Sequence, residues 1–563
     1  MKNLSITERA NELSFDIDIS NEIEFLRILR QTDSQIFAGY LRFPGLKDDI
    51  FIQNLFKAYK ILFQKLIQSK RNKKQIKIIF TGAGTSGRLS MLAAELFKDD
   101  YEKILGYNPL DFLIAGSNLA LIKAQEGAED DPLMGIKELE NKIQNLDYIL
   151  IGITCGFSAN YVGGQLYKTV IEDKQNAFLI GFNPLDFARK IKPENWDKSF
   201  FDTINTIKNK ENFTPLNPVI GPEPITGSTR MKSGTTTKII TDSLLYLVLE
   251  SLKNNNPYKN YNEFKERFLK LLTEYYCAYD NVYKNIDNLA KLIKNAGTIL
   301  RNYGNIYYLG ESFAGQLGII DASECPPTYG AGYHDVRGFM KNGWADFCSS
   351  AQDLSHIDNL YDISFNNLKN IIAKNHNDYI IFITGTAEYF NRNKDLFSSL
   401  KNIKKILLTD TNIDNIGEYD FVLNNCHDIK DIPIFTSIAT KLIFNAITTF
   451  AHVFKGKVYK NRMIDLRISN NKLYYRSINI IKDIVDTDEQ TAELSILKAI
   501  YDTDSLTDSI LKAPISKHIL ISTDKEKVIP TALLLATGEF DLKKAKQKLK
   551  EIPIIRNIIE IIS

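Results

Sequence analysis

Cysteine is scarce. Cys155, Cys277, Cys325, Cys348 and Cys426 are scattered through 563 residues, and no two stand in a C-x-x-C spacing. That argues against a disulfide scaffold or a thiolate zinc site and points to a reducing compartment. An excess of one charge is missing too. The 70 basic residues face 68 acidic ones, a formal net charge of +2, which leaves no footprint for nucleic acid or an anionic membrane. The six histidines lack ligand spacing, so no metal is expected. The longest apolar runs, such as Ala532–Ala536, fall far short of the ~20 residues of a membrane helix. The opening MKNLSITERANELSFDID is polar and has no apolar h-region. A cytoplasmic chain with no cofactor is the expectation. Composition is otherwise ordinary for a globular protein, and the length predicts two to four domains.

What is present is a repeated α/β pattern. Residues 1–45 read as an N-terminal helical arm. From 46 to 255, short apolar strands alternate with helical stretches: Ile76-KIIF, Asp111-FLIAG, Tyr148-ILIGIT and Ala177-FLIGF. Near-continuous apolar runs ending in small turn residues are what a parallel sheet buried on both faces requires. From 256 to 455, after a helical connector at Tyr261, the plan recurs in Ile306-YYLGES, Tyr379-IIFITGT and Ile406-LLTD. Gly82 aligns with Gly310, Gly87 with Gly315 and Leu89 with Leu317 at one constant offset. Phe178–Ile180 aligns with Ile406–Leu408 at the same offset, and Tyr148 with Tyr379 a few positions further on. Two copies of one doubly wound domain are the reading, with a coincidence of generic βα units as the alternative. From 456 to 563 no strand pattern survives. The stretch beginning at Asn461 is predicted to be one long helix in a separate helical domain.

The chemistry concentrates in Thr81-Gly-Ala-Gly-Thr-Ser-Gly-Arg88, a strand, Gly-rich turn and helix start. Glycines let the backbone approach an anion, and the new helix aims N–H groups and its dipole at it. Thr85 and Ser86 add hydroxyls, and Arg88 can assist. A tight turn capped by hydroxyls is the plain structural alternative. The second copy weighs against it, because there Thr85 becomes Phe313, Ser86 becomes Ala314, and Glu311 adds a repelling charge. The second turn, Thr154-Cys-Gly-Phe-Ser158, has Thr384–Ala387 as its counterpart and loses the Gly156 equivalent. The fold was kept twice and the anion chemistry once.

Two carboxylates stand out. Glu129 lies in Gln125-Glu-Gly-Ala-Glu-Asp-Asp131, where helix capping is the ordinary role. Glu324 precedes Pro326-Pro327, read as a helix stop. A carboxylate at that end calls for a hydroxyl or cation partner. The loop Gly221–Lys238, rich in hydroxyls, is either a capping loop or a wall of the same site.

Together TGAGTSGRL, EGAED and TGSTRMKSGTTTK resemble the family of bacterial N-acetylmuramic acid 6-phosphate etherases and animal glucokinase regulatory proteins. Gly181-FNPLDFARKIKPENW, His334-DVRGF and Gly456-KVYKNRMIDLRISNNKLYYR look like the regulatory branch. The resemblance implies two tandem sugar isomerase (SIS) domains of flavodoxin-like, parallel-sheet type, and a C-terminal α-helical lid at 456–563. It implies a non-enzymatic regulator that binds fructose 6-phosphate or fructose 1-phosphate and modulates a hexokinase-type partner. It assigns the phosphate to Gly84, Thr85, Ser86, Thr154, Gly156 and Ser158, sugar hydroxyls to Glu129 and Glu324, and a lid contact to Lys472. The enzymatic alternative is lactyl-ether elimination, with Glu129 and Glu324 as acid and base. Two departures stand out. Asp321–Gly330 matches the etherase form more closely, and Phe454-Lys455 replaces the regulators' aliphatic residues. An isomerase or amidotransferase fits less well, since isomerases lack the TGSTRMK loop and the chain starts Met1-Lys2 rather than with cysteine.

Overall fold

The computed structural model describes residues 4–125, 127–372, 378–383, 404–409, 421–424, 432–468, 471–522 and 525–562. Strands β1 (Ile76–Gly82), β2 (Leu110–Ile114), β3 (Asp147–Ile153), β4 (Asn176–Ile180) and β5 (Phe213–Leu216) form a parallel sheet in the order β2-β1-β3-β4-β5. Strands β6 (Ile306–Gly310), β7 (Val336–Phe339), β8 (Tyr379–Ile383), β9 (Lys404–Thr409) and β10 (Phe421–Asn424) form a second, ordered β7-β6-β8-β9-β10. The two sheets match strand for strand, so the duplication read from the sequence is present in the topology.

The glycine equivalence has a physical reason. A Cβ on Gly82 would stand 2.7 Å from the Gly87 nitrogen, and one on Gly310 would stand 2.7 Å from the Gly315 nitrogen. In both halves strand end and helix start touch backbone to backbone, which no side chain permits. The third strand corrects the alignment. Gly82 pairs with Ile153, and Gly310 with Ile383. Tyr148 therefore corresponds to Asp378, not Tyr379. The apolar runs are similar enough to hide a one-residue slip, although it would flip every side chain to the other face.

Two further expectations need correction. The helix Ser312–Tyr329 does not stop at Pro326-Pro327 but runs through both and ends at Gly330. Prolines remove helical donors, but this helix is buried against β6, β7 and the helix Ile434–Phe454, and tertiary packing overrides the local signal. Nor does a helix begin at Asn461. A hairpin of β11 (Val458–Tyr459) and β12 (Arg462–Met463) comes first, and the helix starts at Asn471.

Ile434–Phe454 also departs from expectation. By length and hydropathy it could cross a membrane, yet its most apolar stretch is wholly buried inside the protein. Thr440, Lys441, Asn445 and Thr448 interrupt its apolar run, which is why no long stretch shows in the sequence.

The N-terminal arm fastens the C-terminal helices to the first half. Asn11 Nδ2 donates to the Pro222 carbonyl at 2.8 Å, and Asn461 Nδ2 donates to the Asn11 carbonyl at 2.8 Å. Asp18 accepts from the Lys460 N–H at 2.6 Å and from Arg556, which also pairs with Asp16 and Glu560. Burial pushes the Asp18 carboxyl up to about 6 despite these partners. The native state then holds that proton to higher pH than the unfolded chain does. Its contribution to stability is complete below about pH 4 and is lost as pH rises through 6. Asp18→Asn should therefore gain about 2 kcal/mol relative to the parent chain between pH 4 and 6, approaching about 3 kcal/mol by pH 8. Thermal unfolding of both chains across that range checks this, and a constant difference would contradict it.

Candidate functional site

The Gly-rich loop leaves β1 at Gly82 and enters the helix Thr85–Leu105. Gly84 stands at the N-cap with φ +52° and no side-chain cap. A Cβ there would meet nothing within 4 Å. This is an open helix end with no side-chain cap; the Ser86 and Gly87 N–H groups donate to the Ala83 carbonyl at 3.1 and 3.4 Å, and the positive end of the helix dipole suits an anion. Ser86 lies beside it, with Oγ 3.7 Å from Cys155 Sγ. Burial pushes the Cys155 thiol up to about 12, so it is a neutral neighbour and no nucleophile.

The second turn faces the first across the strand ends. Thr154 Oγ1 accepts from the Ser158 and Ala159 N–H groups at 3.2 and 3.4 Å, which fixes the turn. Around the Cβ position of Gly156 stand Ser158 Oγ at 3.8 Å and Thr7 Oγ1 of the arm at 3.6 Å. Thr7 is held by a reciprocal pair with Asn183, at 3.2 and 3.0 Å.

Glu324 arrives from the second half of the chain. Its Oε2 accepts from Thr85 Oγ1 at 2.5 Å, and its Oε1 from Arg88 Nη1 at 2.5 Å. The hydroxyl and the cation that its position called for are both there, each on the Gly-rich loop. Arg88 Nε donates to the Leu121 carbonyl, while Nη2 is buried without a hydrogen-bond partner among the described residues. Glu324 is buried at 6% exposure, whereas Glu129 is exposed on the 3₁₀ turn Ala128–Asp130. The neighbouring Asp131 caps the next helix through the Met134 N–H, the ordinary role foreseen for this stretch. Lys472 falls in the first turn of the helix Asn471–Val485, and its side chain lies outside the described residues, as do Thr384–Ala387.

The Gly221–Lys238 loop is less a wall than a rivet. Arg230 donates to Asp321 at 2.8 Å, Thr448 at 3.1 Å, Tyr329 at 3.0 Å and Thr449 at 2.7 Å, all in the second half. Glu223 caps the helix Lys232–Asn254 through the Lys232 and Ser233 N–H groups. Lys441 Nζ donates to the Arg230 carbonyl at 2.7 Å, and burial pushes its ammonium down to about 8. Arg230 itself lines a small cavity with Thr85, Glu324 and Lys441. At Gly227, Glu8 Oε2 and Arg476 Nη2 stand 3.3 and 3.5 Å from the glycine's Cβ position. Sequence reasoning missed Thr7, Glu8 and Arg476. The one usable signal was Arg476, which stands one helical turn after Lys472 and so shares its face.

Three family models match in chain order: the N-terminal SIS domain of glucokinase regulatory protein over residues 61–170, its second SIS domain over 283–417, and its C-terminal lid domain over 460–559. The chain belongs to the glucokinase regulatory protein family. The glucokinase regulatory protein of Xenopus laevis is 28% identical over 99% of this chain and 93% of its own length. The Homo sapiens protein is 28% identical over 98% and 91%. An N-acetylmuramic acid 6-phosphate etherase of Clostridium acetobutylicum is 30% identical, over 44% of this chain and 69% of its own. The two regulatory proteins thus match both SIS halves and the lid, whereas the etherase matches less than half the chain.

Proposed function

We propose that this chain is a phosphosugar-responsive regulator that binds fructose 6-phosphate or fructose 1-phosphate without turning it over and thereby modulates a hexokinase-type partner in the cytoplasm. The phosphate rests on Gly84, Thr85, Ser86, Thr154, Gly156 and Ser158. Glu129 and Glu324 take sugar hydroxyls, and Lys472 closes the site from the lid. The arm, two SIS domains and lid divide near residues 46, 256 and 456. The uncapped helix end at Gly84 carries this reading, because hydroxyls surround it in the first copy and are lost from the second. A ligand shifts partner affinity only as far as it distinguishes two states, and a lid spanning arm and loop offers such a difference.

The etherase reading rests on the pair Glu129 and Glu324. Against it, both Glu324 oxygens already accept hydrogen bonds, and Glu129 is exposed. One experiment separates the two. The purified chain is incubated with N-acetylmuramic acid 6-phosphate and, in parallel, melted with hexose phosphates. The regulator reading expects no lactate and a raised melting temperature with fructose 6-phosphate. Lactate release that Glu129→Ala abolishes would establish the enzyme instead.

A further inference from the structure

The helix Leu542–Glu551 in the lid carries Lys543, Lys544, Lys546, Lys548 and Lys550 against one acid, Glu551. That excess is larger than the +2 of the whole chain. Elsewhere the charges are mixed: the helix Tyr261–Lys284 holds four acids and four bases. Leu542, Ala545 and Leu549 are buried and seat the helix on Val528–Ala536. Lys543, Lys544, Lys546 and Lys550 are exposed, and Lys548 is half-buried, so the outer face has one sign. Two of the five are paired, Lys544 with Asp541 at 3.6 Å and Lys546 with Asp502. Lys543, Lys548 and Lys550 form no ion pair among the described residues. Lys544 and Lys548, and Lys546 and Lys550, stand four residues apart, where like charges on a helix repel. The face is thus kept basic against a local cost.

We propose that this lysine face is a docking surface for the acidic face of a partner protein. A helix that lies on a membrane needs its apolar side free, and here that side is packed into the lid. Phosphate backbones are gripped best by the arginine fork, and bases by aromatic rings, and this helix has neither. What remains is a row of point charges about 15 Å long on a packed helix. Such a row speeds the encounter with an oppositely charged protein surface and rejects basic ones. None of these lysines belongs to the cradle, so the surface is separate from the sugar-phosphate reading.

The test is fluorescence anisotropy of a labelled oligoglutamate peptide titrated with the full chain at low ionic strength. The parent chain should bind it, and Lys543→Gln/Lys548→Gln/Lys550→Gln should weaken binding by about tenfold or more. Glutamine is a good helix former, so the fold should survive, and a melting curve beside the titration verifies it. Lys103→Gln/Lys208→Gln/Lys210→Gln removes the same charge from exposed lysines of the first half and should leave binding near the parent value. No binding by the parent chain would overturn the inference. Equal weakening in the two triple variants would also overturn it, by reducing the effect to net charge. Phosphatidylserine vesicles and duplex DNA are titrated in parallel. Tighter binding to either than to the peptide would give the face to lipid or nucleic acid and overturn the assignment to a protein.

Discussion

Arg230→Met is expected to destabilise the protein by about 3–5 kcal/mol, the largest effect of any substitution discussed. Arg230 is buried at 2% exposure and makes four hydrogen bonds to Asp321, Tyr329, Thr448 and Thr449. Its removal leaves Asp321 buried with the Tyr308 and Thr448 hydroxyls and with Lys441 as the remaining nearby cation among the described residues, while burial already pushes that carboxyl up. The double variant Arg230→Met/Asp321→Leu should recover part of the loss, because removing both charges leaves no ion stranded. Urea unfolding of the parent chain and both variants checks this. A single variant as stable as the parent chain would show that the rivet contributes nothing.

The second large effect is on ligand binding. Ser86→Ala should weaken hexose phosphate binding by roughly 10- to 100-fold, the weight of one hydrogen bond to a charged group. The residue is 7% exposed in the first turn of its helix, where alanine is a good helix former, so the fold should survive. Titration with fructose 6-phosphate alongside a melting curve separates lost contact from lost structure. Unchanged affinity would remove Ser86 from the site.

The sheets were legible because their strands are nearly unbroken apolar runs ending in small residues, as in Ile76–Gly82 and Ile306–Gly310. Of the edge strands, β2 was read as Asp111-FLIAG, whereas Phe213–Leu216, Val336–Phe339 and Phe421–Asn424 escaped notice. Phe213–Leu216 holds Pro215, and Val336–Phe339 holds a buried arginine and a glycine, so neither shows the core signature. The Pro-Pro pair misled for a related reason: local propensity marks a helix end, while packing carried the helix on to Tyr329. Within the site, the Gly-rich loop announced itself through its glycines and hydroxyls. The Glu324 contact spans 239 residues to Thr85, and Thr7 reaches Asn183 across 176. No local pattern encodes such pairings. The resemblance pointed to Glu324 but not to Arg88 as its partner. It was also silent on Glu223, which caps a helix from nine residues upstream, outside the spacing of a local capping motif.

Calorimetric titration of the full chain with fructose 6-phosphate and fructose 1-phosphate tests the central claim most directly. The account predicts saturable binding, one ligand per chain, because only the first copy keeps the cradle. Two equivalent sites per chain, or no binding of either sugar phosphate by folded protein, would contradict it.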